Sequence, residues 1–369
     1  MISFVIKKGT NSNEMRENNS SLITANLLDW YKKEGRDLPW RETSDPYKIW
    51  ISEIILQQTR VAQGREYYFR FIEKFPDLES LAMAEEDEVL KLWQGLGYYT
   101  RARNLHAAAK AVMDRFNGIF PSTYSDIITL RGVGEYTAAA IASIAFNEPH
   151  AVVDGNVFRV ISRLFGITLS IHSSEGKKTI KKIARSLLYT EEPGIYNQAV
   201  MDFGALICTP TQPKCVECVL QDWCTAFAEN RVGELPINDR KIALRNRYFH
   251  YFHILQNNST FLQKRNGSDI WKNLFEFPLI ETPLPNDFSQ LVKTDFFGEL
   301  FGGITLFSVD HKLAIKHRLT HQLIHTHFYQ MIIPEEIPFN PPKNIFKIEN
   351  EMLSDYPVSR LTHKYLETI

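Results

Sequence analysis

Apolar residues recur at helical spacing through most of the first 228 residues. An amphipathic helix is expected from Ser21 to about Gly35, and a second is expected to begin at Asp45-Pro46, where Asp can cap the helix and Pro can fill its first turn. The helical pattern continues over residues 61–120, 156–165 and about 175–207. Residues 1–20 are polar and rich in asparagine, so they are predicted to form a disordered tail.

The hydrophobic period changes to two after a polar stretch. Residues 229–246 contain Gly233 and Pro236 and are predicted to link two domains. A β-hairpin is expected over residues 249–262, and further strands are expected near residues 304–309 and 322–333. The last element is predicted to be a helix from Val358 to Leu366. The predicted fold class is therefore mainly α, with an all-helical domain over residues 21–228 and an α/β domain over residues 247–369.

Composition narrows the class of protein without identifying it. The chain has 369 residues, 44% hydrophobic and 23% charged, which is ordinary for a globular protein with two cores. The sequence contains no run of about 18 apolar residues, so no membrane span is predicted. The net charge of −1 argues against a uniformly basic surface, so any nucleic-acid binding must rest on local sites. All four cysteines lie between residues 208 and 224, which indicates a reducing compartment and one metal site.

Residues 130–141 read as a tight turn between two helices. Ser122 or Thr123 can cap the first helix, and Gly132 and Gly134 allow positive φ and a close approach of another backbone. Backbone N–H groups at the start of the second helix would then face an anion such as a DNA phosphate. The alternative is a plain helix–helix turn.

Two carboxylates stand in apolar surroundings. Glu53 interrupts the apolar run of the second helix, and burial there is costly unless the group is paired or protonated. The alternative is that Glu53 lies on the wet face of that helix. Asp154 lies between Val152-Val153 and a helix-opening Gly155-Asn156. Both carboxylates are candidates for acid–base chemistry.

Three further segments have the composition of DNA contacts. The loop Arg36–Arg41 places an aromatic residue between arginines, which suits phosphate contact and base stacking, although a packed loop is an equal alternative. Gln57-Gln58 ends the second helix with two amides that can read base edges. The segment Gly95–Asn104 can place an apolar tip in a base stack while its arginines hold phosphates; the alternative is a helix end followed by a surface helix.

The cysteine spacing is the most specific motif. Cys208, Cys215, Cys218 and Cys224 form one compact loop that can bind a metal ion or an iron–sulfur cluster. Zinc is the general alternative, but structural zinc sites more often pair two C-x2-C knuckles.

The motifs described above lie within residues 25–225. In their residues and in their order along the chain, they resemble the helix-hairpin-helix DNA glycosylases that carry a 4Fe-4S cluster, and among them the adenine DNA glycosylases. Residues 246–369 are similar, less strongly, to the C-terminal domain of those enzymes, whose fold resembles the 8-oxo-dGTP pyrophosphatases; Asn273–Pro278 looks like its internal signature. The G-x5-E-x7-R-E-x2-E-E pattern of active pyrophosphatases is absent from the sequence, so that chemistry is not expected.

The resemblance implies an enzyme that removes adenine mispaired with 8-oxoguanine or guanine in double-stranded DNA. It implies that Glu53 is protonated and donates to N7 of a flipped adenine, and that Asp154, kept ionised by helix-start N–H groups, stabilises the sugar cation. Tyr136 and Asn156 would orient these groups. The implied C-terminal domain would recognise 8-oxoguanine, and the implied enzyme is a cytoplasmic, bacterial, nucleoid-associated monomer with no membrane partner.

The implied DNA contacts are Arg41, Leu56, Gln58, Thr59, Leu96, Tyr98, Gly132, Gly134, Thr320 and His321, and the implied cluster ligands are Cys208, Cys215, Cys218 and Cys224. Leu56, Gln58 and Tyr98 are the expected wedge residues that fill the gap left by the flipped base.

The sequence departs from the family pattern at a few positions. Tyr136 stands where relatives such as endonuclease III have a Schiff-base lysine, so lyase activity is not expected. Arg131 replaces the usual Pro, and Leu319-Thr320-His321 replaces Phe-Ser-His. Three alternatives remain: an endonuclease III-like enzyme for oxidised pyrimidines, a non-catalytic iron–sulfur DNA sensor, and a metal site formed by His317, His321, His325 and His327.

Overall fold

A computed structural model describes residues 12–239, 243–302, 304 and 307–369. The chain forms two compact units, one of Met1–Glu79 with Ala108–Arg240 and one of Ser80–Ala107 with Lys241–Ile369. Within the described ranges, no helix is both long enough and apolar enough for a membrane span.

The part of the chain before residue 240 is helical, as predicted. Its helices are α1 Ser12–Glu34, α2 Pro46–Leu56, α3 Val61–Lys74, α4 Leu78–Met83, α5 Glu86–Leu92, α6 Thr100–Phe116, α7 Tyr124–Ile127, α8 Glu135–Phe146, α9 Gly155–Leu164, α10 Ser174–Leu187, α11 Pro193–Leu206 and α12 Thr225–Ala228. The predicted start of the first helix at Ser21 is wrong, because α1 begins at Ser12 and includes part of the predicted tail. Residues 1–11 of that tail lie outside the described residues.

The helix caps follow the sequence signals. Asp45 accepts a hydrogen bond from the Tyr47 N–H at 2.9 Å, ahead of Pro46 in the first turn of α2. Thr123, and not Ser122, caps α7. Asp154 accepts from the Val157 N–H at 2.8 Å and so caps α9. These local bonds fix where three site-bearing helices begin.

The first unit has its core where α1, α8, α9, α10 and α11 meet. Each helix contributes residues three or four positions apart, which is the spacing of one helix face. The buried members include Ile23, Leu27, Ala140, Val160, Ile161, Leu164, Ile180, Ala184, Val200 and Phe203.

The second unit is built on a mixed sheet. Its strands are β1 Arg245–Gln256, β2 Ser259–Lys264, β3 Phe275–Glu276, β4 Leu279–Thr282, β5 Ser308–Arg318, β6 Gln322–Ile332 and β7 Ile345–Glu349, and its later helices are α13 Phe288–Leu291, α14 Asp295–Phe301 and α15 Arg360–Leu366. The order is β3-β2-β1-β6-β5, with β4 on β1 and β7 on β2, and β1 and β6 run parallel.

The sheet agrees with most of the predicted strands. The predicted hairpin is confirmed by the antiparallel pairing of Leu255 with Thr260, and the predicted C-terminal helix is α15. The strand predicted near 304–309 falls in part on residues 305 and 306, which lie outside the described residues, and the described strand β5 begins at Ser308 and continues to Arg318. The positions of β5 are mostly exposed and include charged residues. The strand therefore shows little of the apolar alternation from which strands are predicted.

Helices cover both faces of the sheet. Phe252, Ile254 and Met331 pack in one cluster with residues of α13 and α14. Phe249 and Phe328 pack in another cluster with residues of α15. The alternation along β1 and β6 therefore divides their apolar residues between two cores.

Residues 80–107 belong to this second unit although they are helical and precede it by more than 130 positions. Lys264 binds both carboxylate oxygens of Asp87 at 2.8 and 2.9 Å. The Tyr99 hydroxyl donates to the Val358 carbonyl at 3.0 Å. The second unit is thus discontinuous in sequence, whereas the predicted domains, residues 21–228 and 247–369, are continuous.

Candidate active site

A cavity of about 220 Å³ in the first unit gathers the four residues that the sequence indicates as catalytic. The 3-10 turn Pro39–Arg41, α2, α11 and the starts of α8 and α9 enclose it. The lining includes Arg36, Trp40, Arg41, Ser52, Glu53, Leu56, Thr59, Tyr136, Asp154, Asn156, Gln198 and Met201.

Glu53 is a buried carboxyl group in the middle of α2. Its exposed fraction is 7%, so the alternative of a wet helix face is wrong. Burial raises the pKa of Glu53 to about 7, and nearby Asp154 acts in the same direction. A hydrogen bond with Tyr136 and the charge of Arg41 lower the pKa only in part. A large share of Glu53 is therefore protonated at neutral pH.

Asp154 has the surroundings of a charged carboxylate. It accepts hydrogen bonds from the Val157 N–H and from the Asn156 side-chain amide, both at 2.8 Å. Burial still raises the pKa of Asp154 above its usual value, and these donors oppose that rise. The N–H groups at the helix start lower the pKa of Asp154, which is the expected direction, but desolvation is the larger effect. The donors nevertheless favour the charge on Asp154 and the proton on Glu53.

Tyr136 and Asn156 connect the two carboxyl groups to the scaffold. The Tyr136 hydroxyl donates to Met201 Sδ at 3.4 Å and interacts with the Glu53 carboxyl group, and burial raises the pKa of Tyr136 well above its usual value, so it stays a neutral phenol. Asn156 donates to Asp154 and accepts from Arg159 Nη2 at 2.8 Å. Both side chains thus lie beside the carboxyl groups that they are predicted to orient.

Arg41 is bound inside the protein, which contradicts its prediction as a phosphate contact. Its guanidinium donates to both oxygens of the fully buried Asp202 at 2.7 Å, and Arg36 binds the same carboxylate. Trp40 is also buried. The packed-loop alternative for Arg36–Arg41 is therefore the correct one.

Sequence reasoning missed Asp202, Gln198 and Met201, all on α11. The signal for Asp202 was available, because it interrupts the apolar run Val200–Phe203 as Glu53 interrupts α2. Gln198 accepts a hydrogen bond from the Tyr31 hydroxyl at 2.8 Å and gives the cavity a polar wall. Nothing local in the sequence marks Gln198 or Met201.

The two glycines of the turn before α8 have different conformations. Gly132 has φ +81°, as expected. Gly134 has φ −96°, so the expectation of positive φ is wrong there. Gly134 is the N-cap of α8, no side chain caps that helix, and open space surrounds its Cα. The first N–H groups of α8 are therefore available to an anion.

The two amides predicted at the end of α2 lie in different surroundings. Gln57 donates to the Thr137 hydroxyl at 3.2 Å. Gln58 is exposed and has φ +59°. Leu56 and Thr59 are half-buried in the cavity wall. Gln58 is thus the most accessible of the predicted DNA contacts in this segment.

In the second unit, the segment after α5 presents Tyr98 and buries Leu96. Leu96 is 8% exposed and is part of the core, so its side chain is not accessible as the predicted DNA contact. Tyr98 is 55% exposed, with φ +49°. Its hydroxyl lies 3.0 Å from that of Thr320, next to the exposed His321 in the β5–β6 turn. Arg103 donates to the Lys272 carbonyl at 2.7 Å and so serves the fold.

The cysteine loop 208–224 is fastened to α9. The buried Arg163 donates to the Thr209 and Pro210 carbonyls at 2.7 and 3.2 Å and to Cys208 Sγ at 3.4 Å. Burial, and to a smaller extent the neighbouring cysteines, raise the pKa of Cys218 to about 12. Four thiolates this close together need a cationic group among them.

The four cysteines supply the donor set of a 4Fe-4S cluster or of a structural zinc ion. Among the described residues, no three His, Cys, Asp or Glu side chains are grouped so as to hold a single metal ion. The same finding gives no support to a metal site at His317, His321, His325 and His327.

Three protein-family models match the chain. Residues 51–189 match the HhH-GPD superfamily of base excision DNA repair proteins. Residues 208–224 match the iron–sulfur binding domain of endonuclease III, and residues 250–368 match the NUDIX domain.

Similar proteins cover different shares of the chain. An adenine DNA glycosylase of Buchnera aphidicola (subspecies Baizongia pistaciae) is 42% identical over 254 residues, 68% of this chain and 72% of that protein. One from Mus musculus is 43% identical over 220 residues, 57% of this chain and 43% of that protein.

Solved structures match the helical part. A thermostable thymine-DNA glycosylase is 31% identical with a TM-score of 0.54, covering 58% of this chain and 99% of that one. Endonuclease III in a non-covalent DNA complex is 22% identical with a TM-score of 0.51, covering 58% of this chain and 97% of that one, and shows the fold alone.

Proposed function

Because this chain belongs to the adenine DNA glycosylase family, we propose that it excises adenine from mispairs with 8-oxoguanine or guanine and does so without lyase chemistry. It is a DNA glycosylase of base excision repair, with a helix-hairpin-helix domain, an iron–sulfur loop and a NUDIX-like domain. The proposal concerns the mispair, the chemistry and the residues that carry them out.

One observation carries the proposal: two carboxyl groups of opposite character share one cavity. Glu53 is desolvated and has a pKa of about 7. Asp154 accepts bonds from a helix start and from an amide. A pair whose environments favour a proton on one member and a charge on the other suits cleavage of a glycosidic bond.

The reaction uses each group at a stated atom. Adenine leaves the base stack, at a cost of a few kcal/mol, and enters the cavity. Glu53 donates its proton to N7, the N-glycosidic bond breaks, and neutral adenine leaves with the bonding electrons. Asp154 stabilises the cationic sugar, and water adds to its C1′ and returns a proton to Glu53. A positioned general acid contributes roughly 10²- to 10⁴-fold.

Hydrolysis without strand cleavage is supported by the lining of the cavity. Its described lining residues include no lysine. Tyr136 occupies the second position of α8, and a phenol cannot form the imine that lyase chemistry requires.

Recognition of the opposite base is assigned to the exposed hydroxyl groups of the second unit. Tyr98 and Thr320 are hydrogen-bonded and exposed, and His321 follows directly. Leu319 stands in place of the family's Phe. It has no aromatic ring, and it packs against the apolar cluster around Phe328. We therefore assign the check for 8-oxoguanine to Tyr98, Thr320 and His321.

The cluster is assigned a structural role. Cys208, Cys215, Cys218 and Cys224 hold a 4Fe-4S cluster. Hydrolysis transfers no electrons, so the role of the cluster is to order the loop that Arg163 fastens to α9. We further propose that the enzyme acts as a monomer in the bacterial cytoplasm.

The first experiment is single-turnover cleavage of three duplexes, carrying adenine opposite 8-oxoguanine, adenine opposite guanine, and thymine glycol opposite adenine. We expect the fastest adenine loss opposite 8-oxoguanine, with strand breaks only after hot alkali. Breaks at thymine glycol without alkali would favour the endonuclease III-like alternative. Tight binding with no cleavage of any duplex would favour the sensor.

The carboxyl roles are tested by Asp154→Asn and Glu53→Gln. Asp154→Asn should abolish cleavage and retain DNA binding, and near wild-type cleavage would contradict its role. Glu53 must be protonated to act, so the wild-type single-turnover rate should fall as the pH rises above about 7. A rate that rises over that range would assign Glu53 as a base.

A further inference from the structure

Helix α10 has a dense cationic face in a protein of nearly neutral charge. Over Ser174–Leu187 it carries five cations and one carboxylate, Glu175, whereas the whole chain has a net charge of −1. The cations are Lys177, Lys178, Lys181, Lys182 and Arg185.

These cations lie on one side of the helix. The buried residues Gly176, Ile180, Ala184 and Leu187 face the core. At 3.6 residues per turn Lys178, Lys182 and Arg185 fall opposite that stripe, and Lys177 and Lys181 lie at its flank. All of them are exposed except Lys181, which is half-buried. The face is therefore directed to solvent.

The cationic face adjoins the turn whose N–H groups are available to an anion. Lys181 forms an ion pair with Glu135, the first residue of α8 and the neighbour of Gly134. Lys181 and Arg185 also line one cavity with Tyr124 of α7 and with Glu135. Lys181 neutralises the Glu135 carboxylate. The negative charge of Glu135 is therefore compensated where the turn meets the cationic face.

We propose that the cationic face of α10, formed by Lys177, Lys178, Lys182 and Arg185, is a second DNA-backbone contact that continues from the Gly132–Gly134 turn. The inference rests on the proposed function, because its ligand is the same duplex. A polyanion with regularly spaced charges is the partner that such a row of cations matches. Lys177 and Arg185 are eight residues apart, about 12 Å along the helix axis. That distance corresponds to about three or four base-pair steps.

The test is the salt dependence of binding to an undamaged duplex. The variant K178Q/K182Q/R185Q is compared with the control K293Q/K343Q/K347Q, which removes three exposed lysines of the second unit. Both triple variants change the net charge by the same amount. Each phosphate contact contributes a slope of about 0.9 in log affinity against log salt. We therefore expect the slope to fall by about two to three for the α10 variant and to stay unchanged for the control.

A further measurement tests whether the contact depends on charge. The charge-preserving variant K178R/K182R/R185K should keep the wild-type slope. If the triple variant fails to fold, the single variants should each lower the slope by about one.

Equal slopes for the α10 and control variants would overturn the proposal, as would a reduced slope for the charge-preserving variant. Binding is measured without cleavage, so an enzyme that binds through α10 but excises no adenine would contradict the proposed function and not this inference.

Discussion

At the scale of single residues, the candidate active site contains a carboxyl group whose burial is unfavourable when it is charged. Glu53 lies in an apolar helix with a raised pKa, and its ionisation in the folded chain is therefore opposed. The same burial that makes Glu53 an acid at neutral pH costs stability once the group is charged. The burial of Glu53 thus favours its proposed catalytic role but lowers the stability of the folded protein when the group is charged.

Glu53→Gln should stabilise the protein at alkaline pH. The pKa of Glu53 rises from 4.5 to about 7 on folding, so the folded chain holds the proton more tightly. Its contribution to the free energy of unfolding is complete below about pH 4.5 and is lost as the pH rises through about 7. The loss amounts to about 3 kcal/mol. We expect Glu53→Gln to exceed wild type in urea unfolding by up to that amount at pH 8.

The comparison at pH 5 is the control, because Glu53 is mostly protonated there in the folded chain. The stabilisation by Glu53→Gln should then be much smaller. An equal difference at pH 5 and pH 8 would show that the substitution acts through packing and not through ionisation.

Asp202→Asn should destabilise the protein strongly. Asp202 is fully buried and neutralises Arg36 and Arg41, and the guanidinium of Arg41 is itself mostly buried. Removing one partner of a buried ion pair leaves an uncompensated charge, which costs about 3 kcal/mol or more. Urea unfolding measures the loss. Glu367→Gln, which breaks the half-exposed pair with Arg360, is the matched control and should change stability by less than about 1 kcal/mol. Similar effects of the two substitutions would contradict this account.

At the scale of elements, the two glycines of the turn before α8 have different roles. One is needed for its backbone conformation, and the other leaves space at the start of the helix. Gly132 needs its positive φ, whereas Gly134 has an ordinary φ and open space where a Cβ would stand. Gly132→Ala should therefore cost about 1–2 kcal/mol of stability. Gly134→Ala should cost less than about 1 kcal/mol and weaken DNA binding at least tenfold, because its methyl group occupies the space of an approaching phosphate.

Thermal unfolding and duplex binding of the two variants test this separation. If Gly134→Ala binds DNA as wild type does, the α8 N-terminus does not hold a phosphate. If Gly132→Ala unfolds as wild type does, the turn adopts another conformation.

The same scale explains which features the sequence could predict. Caps such as Asp45, Thr123 and Asp154 act within three residues, so their side chains and the helices they begin are legible in the chain. The burial of Arg41 depends on Asp202, which is 161 positions away. The strand β5 pairs with one neighbour at the sheet edge and lacks a regular apolar stripe. Long-range partners and edge strands leave no local pattern from which to predict them.

At the scale of the whole molecule, a helical segment belongs to the compact unit of the sheet. Residues 80–107 bind the C-terminal residues through Asp87–Lys264 and Tyr99–Val358, and Gln94 accepts from the Val358 N–H at 3.2 Å. The similar thymine-DNA glycosylase is covered over 99% of its length by 58% of this chain. A helical architecture of this type therefore exists without a second domain of this size. In this protein the segment carries Tyr98, so its attachment to the sheet positions a proposed DNA contact.

Removing residues 240–369 should loosen residues 80–107 selectively. The truncated chain lacks Lys264 and Val358, the partners of Asp87 and Tyr99, whereas the core between α9 and α11 keeps its contacts. We expect amide hydrogen exchange to rise over residues 80–107 and to stay slow over α9 and α11, because local opening follows the loss of local contacts. Exchange that rises equally in both regions would indicate one cooperative unit, and unchanged protection of residues 80–107 would show that the segment folds without the sheet. Selective loosening would show that the sheet orders the segment that carries Tyr98, one of the residues to which we assign the check of the opposite base.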